Sequence, residues 1–130
     1  MRTPLEVQLH AGTLAMRLTT HPELYAYYFR KTPFVDKMVM TAKQDSIESH
    51  VQGLRDLERI ARGVLQIISQ QTKTRFNRHV TVKFSKPVVI SRKGQKKITK
   101  PGVVEIIAAT PRGKVFMNTL REEMPSYLAP

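Results

Sequence analysis

The sequence contains no cysteine, and none of its apolar runs approaches the ~20 residues that a membrane-spanning helix needs. The absence of cysteine excludes a disulfide framework, a thiol nucleophile and any zinc site built on thiolates. The start of the chain is interrupted by Glu6, Gln8 and His10, so it lacks the continuous apolar segment of a secretory signal. We therefore expect a soluble protein with no membrane contact.

Side chains spaced for catalysis are also missing. The serines show no nucleophile elbow, and Glu105 is the only acid in the predicted strand region, too few to hold two magnesium ions. "TPRGK" at 110–114 lacks the flanking glycine and the Ser/Thr of a phosphate loop. The histidines show no metal-ligand spacing; they are His10, His21, His50 and His79. We expect no enzymatic activity, no catalytic residue, no cofactor and no metal.

Acidic residues are nearly absent from one long stretch. Residues 73–114 hold twelve Lys and Arg but a single acid, Glu105, whereas residues 1–72 hold nine basic and seven acidic residues. The formal charge of +12 therefore lies almost entirely in this stretch. Such a stretch repels itself unless a polyanion is near, although surplus lysine also serves solubility. The charge pattern favours contact with nucleic acid through its phosphates.

The N-terminal part of the chain has helical patterns. We expect residues 1–44 to form a helical extension, with helices over "TPLEVQLHAGTLAMRLTT" and "THPELYAYYFRK". "LYAYYFRKTPF" concentrates aromatic residues, which can stack bases, but at helical spacing they favour core packing or a subunit contact; they are Tyr25, Tyr27, Tyr28, Phe29 and Phe34. "QDSIESHVQGLRDLERIARGVLQIISQQ" has one continuous apolar stripe, which is typical of a long amphipathic helix. Because the stripe is so long, we expect a homo-oligomer that forms through residues 46–70.

The C-terminal part, residues 45–130, is expected to be one compact unit of an α+β fold. "VTVKFS", "PVVIS" and "GVVEIIAA" alternate or are rich in β-branched residues, which predicts a three-stranded antiparallel sheet. The first two strands would pair through a turn at Ser85–Lys86. "SRKGQKKITKPG" would be the tip of a basic β-ribbon between the second and third strands, and "KVFMNTLREEM" a C-terminal helix.

The basic ribbon is the predicted nucleic-acid-binding surface, because cations at a hairpin tip project into solvent. A two-stranded ribbon can enter a DNA groove, so we expect duplex DNA more than RNA. Lysine outnumbers arginine at the tip, which favours phosphate contact over base reading and therefore little sequence specificity. The predicted binding residues are Arg75, Arg78, Lys83, Lys86, Arg92, Lys93, Lys96, Lys97, Lys100, Arg112 and Lys114.

The order of elements in residues 55–124 resembles that of the HU/integration-host-factor family of architectural DNA-binding proteins. The likeness rests on a helix, then "VTVKFSKPVVI", a basic arm, "VVEIIAATPRGK" and the closing helix "VFMNTLREEM". It implies an obligate dimer whose two arms grip the minor groove and bend or compact DNA. By that resemblance Arg112 and Lys114 would bind phosphate near the last helix, and the arm residues would be Arg92, Lys93, Lys96, Lys97 and Lys100.

Two other functions fit the same sequence. The first is a structural or assembly protein of a phage or viral particle, whose basic ribbon contacts a subunit or the packaged genome. The second is a ribosome-associated or other RNA-associated protein, because lysine-rich hairpins suit RNA equally well. The expected location is accordingly the cytoplasm, associated with the nucleoid, or the virion.

Overall fold

The computed structural model describes residue 18, residues 24–72 and residues 78–123 of the chain. Within these ranges the chain forms six strands and two helices. In chain order they are β1 (Tyr25–Lys31), β2 (Asp36–Ala42), α1 (Ile47–Thr72), β3 (Val80–Ser85), β4 (Val88–Arg92), β5 (Gln95–Lys100), β6 (Val103–Ala108) and α2 (Pro111–Glu123). Neither of these helices has an apolar stretch long enough to cross a bilayer.

The strands form two antiparallel sheets. One sheet has four strands in the order β1-β2-β6-β3, and the other consists of β4 and β5 alone. β3 and β6 pair directly, with Ser85 opposite Val103. The β4–β5 hairpin therefore leaves the large sheet after β3 and returns at β6. This hairpin, residues 88–100, is named the arm.

Both helices pack on one face of the four-stranded sheet. Alternate residues of the central strands point to that face, and the side chains of Met38, Met40, Val104 and Ile106 are completely buried there. The helices add Leu54, Leu57, Ala61, Val64, Leu65, Phe116, Met117 and Leu120 to the same core. Burying one such large apolar side chain stabilises the fold by about 1.5–3 kcal/mol, so the shared core fixes both helices to the sheet.

The predicted helix over "THPELYAYYFRK" is wrong. Residues 25–31 of this segment form β1, which pairs with β2. Tyr25, Tyr27 and Phe29 alternate along the strand and face the core, whereas Tyr28 lies on the opposite face of the sheet. Aromatic side chains suit a pleated surface, and β2 supplies the pairing partner that makes this segment a strand. The expected helical extension thus includes a β-hairpin of the main sheet.

The predicted three-stranded sheet is also wrong, although the fold is mixed α+β. β1 and β2 extend the large sheet, and β4 pairs with β5 instead of with β3 across Ser85–Lys86. β3 finds its partner in β6, and the stretch expected to be the tip of a ribbon contains all of β5. The helix expected over "TPLEVQLHAGTLAMRLTT" lies outside the described residues except for Leu18, which is buried in the core.

The long helix α1 occupies residues 47–72, where the apolar stripe predicts it. Leu54, Leu57, Ala61 and Val64 of the stripe are buried in the core that α1 shares with the chain's own sheet. Ile47 and Val51, nearer the start of the helix, are half-buried and line a groove with Val89 of β4. The homo-oligomer expected through residues 46–70 stays a prediction.

Candidate nucleic-acid interface

The arm is a two-stranded hairpin with a two-residue turn. Its register runs from Val88 opposite Lys100 to Arg92 opposite Gln95, with an irregularity between Val88 and Val89. The turn residues Lys93 and Gly94 have φ angles of 51° and 78°. Positive φ at both central residues is the requirement of a type I′ turn, whose twist matches that of paired strands. The turn therefore holds Lys93 at the far tip of the arm.

The cations of the arm are exposed and lack acidic partners among the described residues. They are Arg92, Lys93, Lys96, Lys97 and Lys100. The arm itself contains no acid. Ion pairs in the described ranges join other residues: Lys37–Glu105, Lys43–Asp45, Arg59–Asp56, Arg62–Glu58 and Arg121–Asp36. Because like charges repel along one hairpin, a bound polyanion lowers the energy of this arrangement.

The two faces of the arm have different surroundings. Val89 and Ile98 are on the face that overlooks the start of α1, where both side chains line grooves shared with Ile47. Alternation along paired strands turns the other face away from α1. That face carries Ile90, Arg92, Gln95 and Lys97, all of them exposed. The outward face thus combines two cations with the apolar side chain of Ile90.

The base of the arm is fixed by hydrogen bonds at Gly102. The Gly102 N–H donates to Nε2 of His50 over 2.9 Å, and the Gly102 carbonyl accepts from the Thr41 hydroxyl over 2.8 Å. His50 is completely buried, and its Nδ1 lies 2.9 Å from the Ala42 carbonyl. Because Nε2 accepts a hydrogen bond, Nδ1 carries the ring proton and donates it to Ala42. One histidine on α1 therefore links the end of β2 to the return of the arm.

Gly102 also has no room for a side chain. A Cβ at this position would lie 2.4 Å from Cδ1 of Leu54, 2.8 Å from the Ser85 carbonyl oxygen and 3.0 Å from Cδ of Pro87. The outgoing and returning chains thus touch each other at the base of the arm, on top of α1. This packing, together with the hydrogen bonds, sets the direction of the arm relative to the sheet.

Lys83 and Lys86 lie between the sheet and the arm. Lys83 is exposed on the face of the sheet away from the helices, opposite Glu105 in the register. Glu105 itself accepts a hydrogen bond from Nζ of Lys37 over 2.9 Å, so the single acid of the basic stretch is already paired. Lys86 is exposed beside Pro87, where the arm begins. Both lysines extend the positive surface from the arm towards the sheet.

Three other predicted residues lie at the opposite end of the sheet. Arg78 is exposed just before β3, Arg112 is exposed in the first turn of α2, and Lys114 is half-buried. Val80 pairs with Ala108 at this end, whereas the arm leaves the sheet near Val103. Because of this, the structure does not bring these three cations to the arm. A further predicted residue, Arg75, lies outside the described residues.

The start of α2 is capped by the chain itself. The Thr110 hydroxyl oxygen accepts the Gly113 N–H over 3.2 Å and lies 2.9 Å from Nδ1 of His79. This is the usual way in which an N-cap threonine satisfies a free helix N–H group. The contact ties His79, which directly precedes β3, to the start of α2.

Sequence reasoning missed His50 and Thr41, which position the arm without being charged surface residues. One signal was present, because His50 falls four residues before Leu54 on the apolar stripe of α1. A polar ring at a core position needs hydrogen-bond partners, which indicates a structural contact at that point. Thr41 gave no such signal, since threonine is common on either face of a strand.

Within the described ranges no three His, Asp or Glu side chains converge to hold a metal ion. Comparison with protein-family models, with curated proteins and with solved structures finds no match to this chain. The resemblance to the HU/integration-host-factor family therefore stays a prediction, and the proposals below depend on the chain's own geometry.

Proposed function

We propose that the protein is a non-enzymatic nucleic-acid-binding protein that holds the phosphates of duplex DNA with its arm and reads little sequence. The observation that carries this proposal is the exposure of every cation of the arm, without an acidic partner among the described residues. The fixed base at Gly102 supports it further, because a pre-directed arm loses less freedom when it binds.

The spacing of the cations matches a polyanion. The six residues of β5 span about 17 Å, and duplex DNA presents one negative charge per ~1.7 Å of its axis, so each cation can meet a different phosphate. Four of the five arm cations are lysines, whose ammonium groups act as point charges and do not make the bidentate contacts that read bases. The exposed apolar side chains of Val88 and Ile90 can contact the sugars of the DNA backbone, which does not read the base sequence.

Binding through phosphates makes the affinity for duplex DNA fall steeply as salt rises. Each phosphate neutralised on B-DNA contributes about −0.9 to the slope of log affinity against log salt. Contacts from all five arm cations thus predict a slope of about −4.5, which means an affinity loss of about 500-fold when salt rises fourfold. Lys83 and Lys86 would steepen the slope if the duplex also reaches the sheet.

The experiment is a titration of a generic duplex of about 30 bp, followed by fluorescence anisotropy at several salt concentrations. The triple variant in which glutamate replaces Lys93, Lys96 and Lys97 should abolish binding. Its circular dichroism spectrum should be unchanged, because all three side chains are exposed. A second comparison removes one cation at a time. Lys97→Gln removes a cation of the arm, and Arg59→Gln is its control, since Arg59 is an exposed cation on α1 that pairs with Asp56. Undiminished affinity in the triple variant would refute the role of the arm.

A second candidate function is supported by the apolar part of the arm. Val88, Val89 and Ile90 are 48%, 38% and 42% exposed, and adjacent exposed apolar side chains are typical of protein contacts. An assembly protein of a phage or viral particle would use them to bind a subunit. If the chain does not bind duplex DNA at low salt and instead self-associates into rings or larger oligomers, the assembly function is favoured. A preference for structured RNA over duplex DNA would favour the RNA-associated function.

A further inference from the structure

The turn between β1 and β2 presents an aromatic ring to solvent. Phe34 is 81% exposed, more than any other exposed large apolar residue of the described ranges. The Thr32 hydroxyl oxygen accepts the N–H groups of Phe34 and Val35 over 3.3 and 3.0 Å, and the Thr32 N–H donates to the Val35 carbonyl over 2.8 Å. Pro33 fixes φ between them. The ring is thus held outward by an organised turn.

Two cations precede the turn that carries the ring. Arg30 and Lys31 end β1 directly before the turn, and both are exposed without an ion pair among the described residues. The acid on the neighbouring strand, Asp36, is 1% exposed and accepts hydrogen bonds from both terminal nitrogens of Arg121. Its charge is therefore paired inside the fold, and the exposed charges of Arg30 and Lys31 next to the turn are both positive.

The turn is remote from the arm. Lys31 pairs with Asp36, which pairs with Ala108 at the end of β6, whereas the arm joins β6 at its other end. The seven residues of β2 separate the two regions by about 20 Å. Arg78 and Arg112 lie at the same end of the sheet as the turn, but β2 and β6 separate β1 from β3.

We propose that Phe34 stacks on an unpaired nucleobase while Arg30 and Lys31 hold the adjoining phosphates. The inference rests on the proposed function and extends it from duplex to single-stranded segments. Stacking needs a free base face, which a paired and stacked duplex does not offer. A single-strand site combines an aromatic ring for the base with cations for the phosphates, and this turn supplies both. Insertion of Phe34 into an apolar pocket of a protein partner is disfavoured, because Arg30 and Lys31 next to the turn would have to lose their hydration.

The first test compares Phe34→Ala with the wild-type chain. Stacking contributes about 1–3 kcal/mol per base on alanine substitution, so binding of a short oligothymidylate should weaken about 5- to 150-fold. Affinity for duplex DNA should be unchanged, because the duplex is held at the arm. The variant should fold normally, since Phe34 is 81% exposed and contributes little to the core.

The second test uses fluorescence, because the chain contains no tryptophan. Phe34→Trp should keep the affinity for oligothymidylate, and its emission should be quenched when a base stacks on the indole. Arg59→Trp places the same reporter on the exposed side of α1, where saturating oligonucleotide should leave the emission unchanged.

The outcomes separate this inference from the proposed function. If Phe34→Ala binds oligothymidylate as well as the wild type while the arm glutamate variant loses duplex binding, the role of Phe34 is overturned and the arm function stands. If the wild-type chain binds neither nucleic acid, both proposals fail. If the chain dimerises and Phe34→Ala makes it monomeric, the turn is a self-association surface and the stacking role is also overturned.

Discussion

Replacing Gly102 by alanine tests whether the base of the arm is as tightly closed as its contacts indicate. The new Cβ would lie 2.8 Å from a backbone oxygen of Ser85 and 3.0 Å from the ring of Pro87, neither of which can swing away like the end of a flexible side chain. Overpacking of this kind costs about 1–3 kcal/mol. If Gly102 shifts instead, it loses its hydrogen bonds to His50 and Thr41, which are worth about 1 kcal/mol each.

By either route the expected loss in the free energy of unfolding is about 1–3 kcal/mol, a sizeable part of the ~5–15 kcal/mol of a typical domain. Urea unfolding followed by circular dichroism measures it as a lower midpoint with an unchanged slope. Gly63→Ala is the matched control, because nothing beyond the adjoining backbone of α1 itself lies within 4 Å of the Cβ it would add in the helix interior.

In a helix interior, exchange of glycine for alanine stabilises by roughly 0.5–1 kcal/mol. The same chemical change should thus raise the urea midpoint at Gly63 and lower it at Gly102. A Gly102→Ala variant that unfolds at the wild-type midpoint or above it would refute the closed base and, with it, the fixed direction of the arm.

Three further predictions concern the contacts that support the fold. Arg121→Met should lower the free energy of unfolding by about 3–5 kcal/mol because it leaves Asp36 buried and unpaired, and adding Asp36→Asn should recover part of that loss in urea unfolding. His50→Ala should cost about 2–5 kcal/mol in the same assay and speed hydrogen exchange at the Gly102 N–H, because two buried partners lose their hydrogen bonds. Phe34→Ala should change the free energy of unfolding by less than about 0.5 kcal/mol, and a larger loss would mean that its ring packs in the fold.

The helices α1 and α2 were predictable because local signals define them. The apolar stripe of α1 repeats at helical spacing over many residues, and Thr110 followed by Pro111 marks the start of α2. β1 was not predictable in this way, since its aromatic residues fit both the three-to-four-residue spacing of a helix and the two-residue alternation of a strand. Tyr28 and Leu24 are four apart, as on a helix, but the alternate residues of the same segment also suit a strand. Pairing with β2, which sequence spacing does not report, decides between them.

The strand pairing around the arm was hidden for a different reason. The sequence separates β3 from β4 by only Lys86 and Pro87, which favours a hairpin between neighbours. The structure joins β3 to β6 instead, because Gly102 allows the returning chain to touch Ser85 and Pro87. Such a close approach depends on the absence of a Cβ and leaves no periodic signal. The basic stretch then closes on itself through the Lys93–Gly94 turn.

The candidate site was predictable in its charges but not in its layout. The lack of acids in the arm is a property of the sequence, and it explains why its cations have no partner within the arm. The sequence could not report that Arg78 and Arg112 lie at the other end of the sheet, since a charge run contains no information on which strand ends meet. Phe34 was visible as part of an aromatic cluster, but a helix over "THPELYAYYFRK" favoured core packing for that cluster, and the exposure of Phe34 depends on the turn between β1 and β2.

The most direct test of phosphate binding by the arm is the salt dependence of duplex affinity, measured for the wild-type chain, Lys97→Gln and Arg59→Gln. We expect a slope of about −4.5 for the wild type, a slope shallower by about 0.9 for Lys97→Gln, and no change for Arg59→Gln. A wild-type slope near zero, or equal slopes for Lys97→Gln and the wild type, would contradict binding through the cations of the arm.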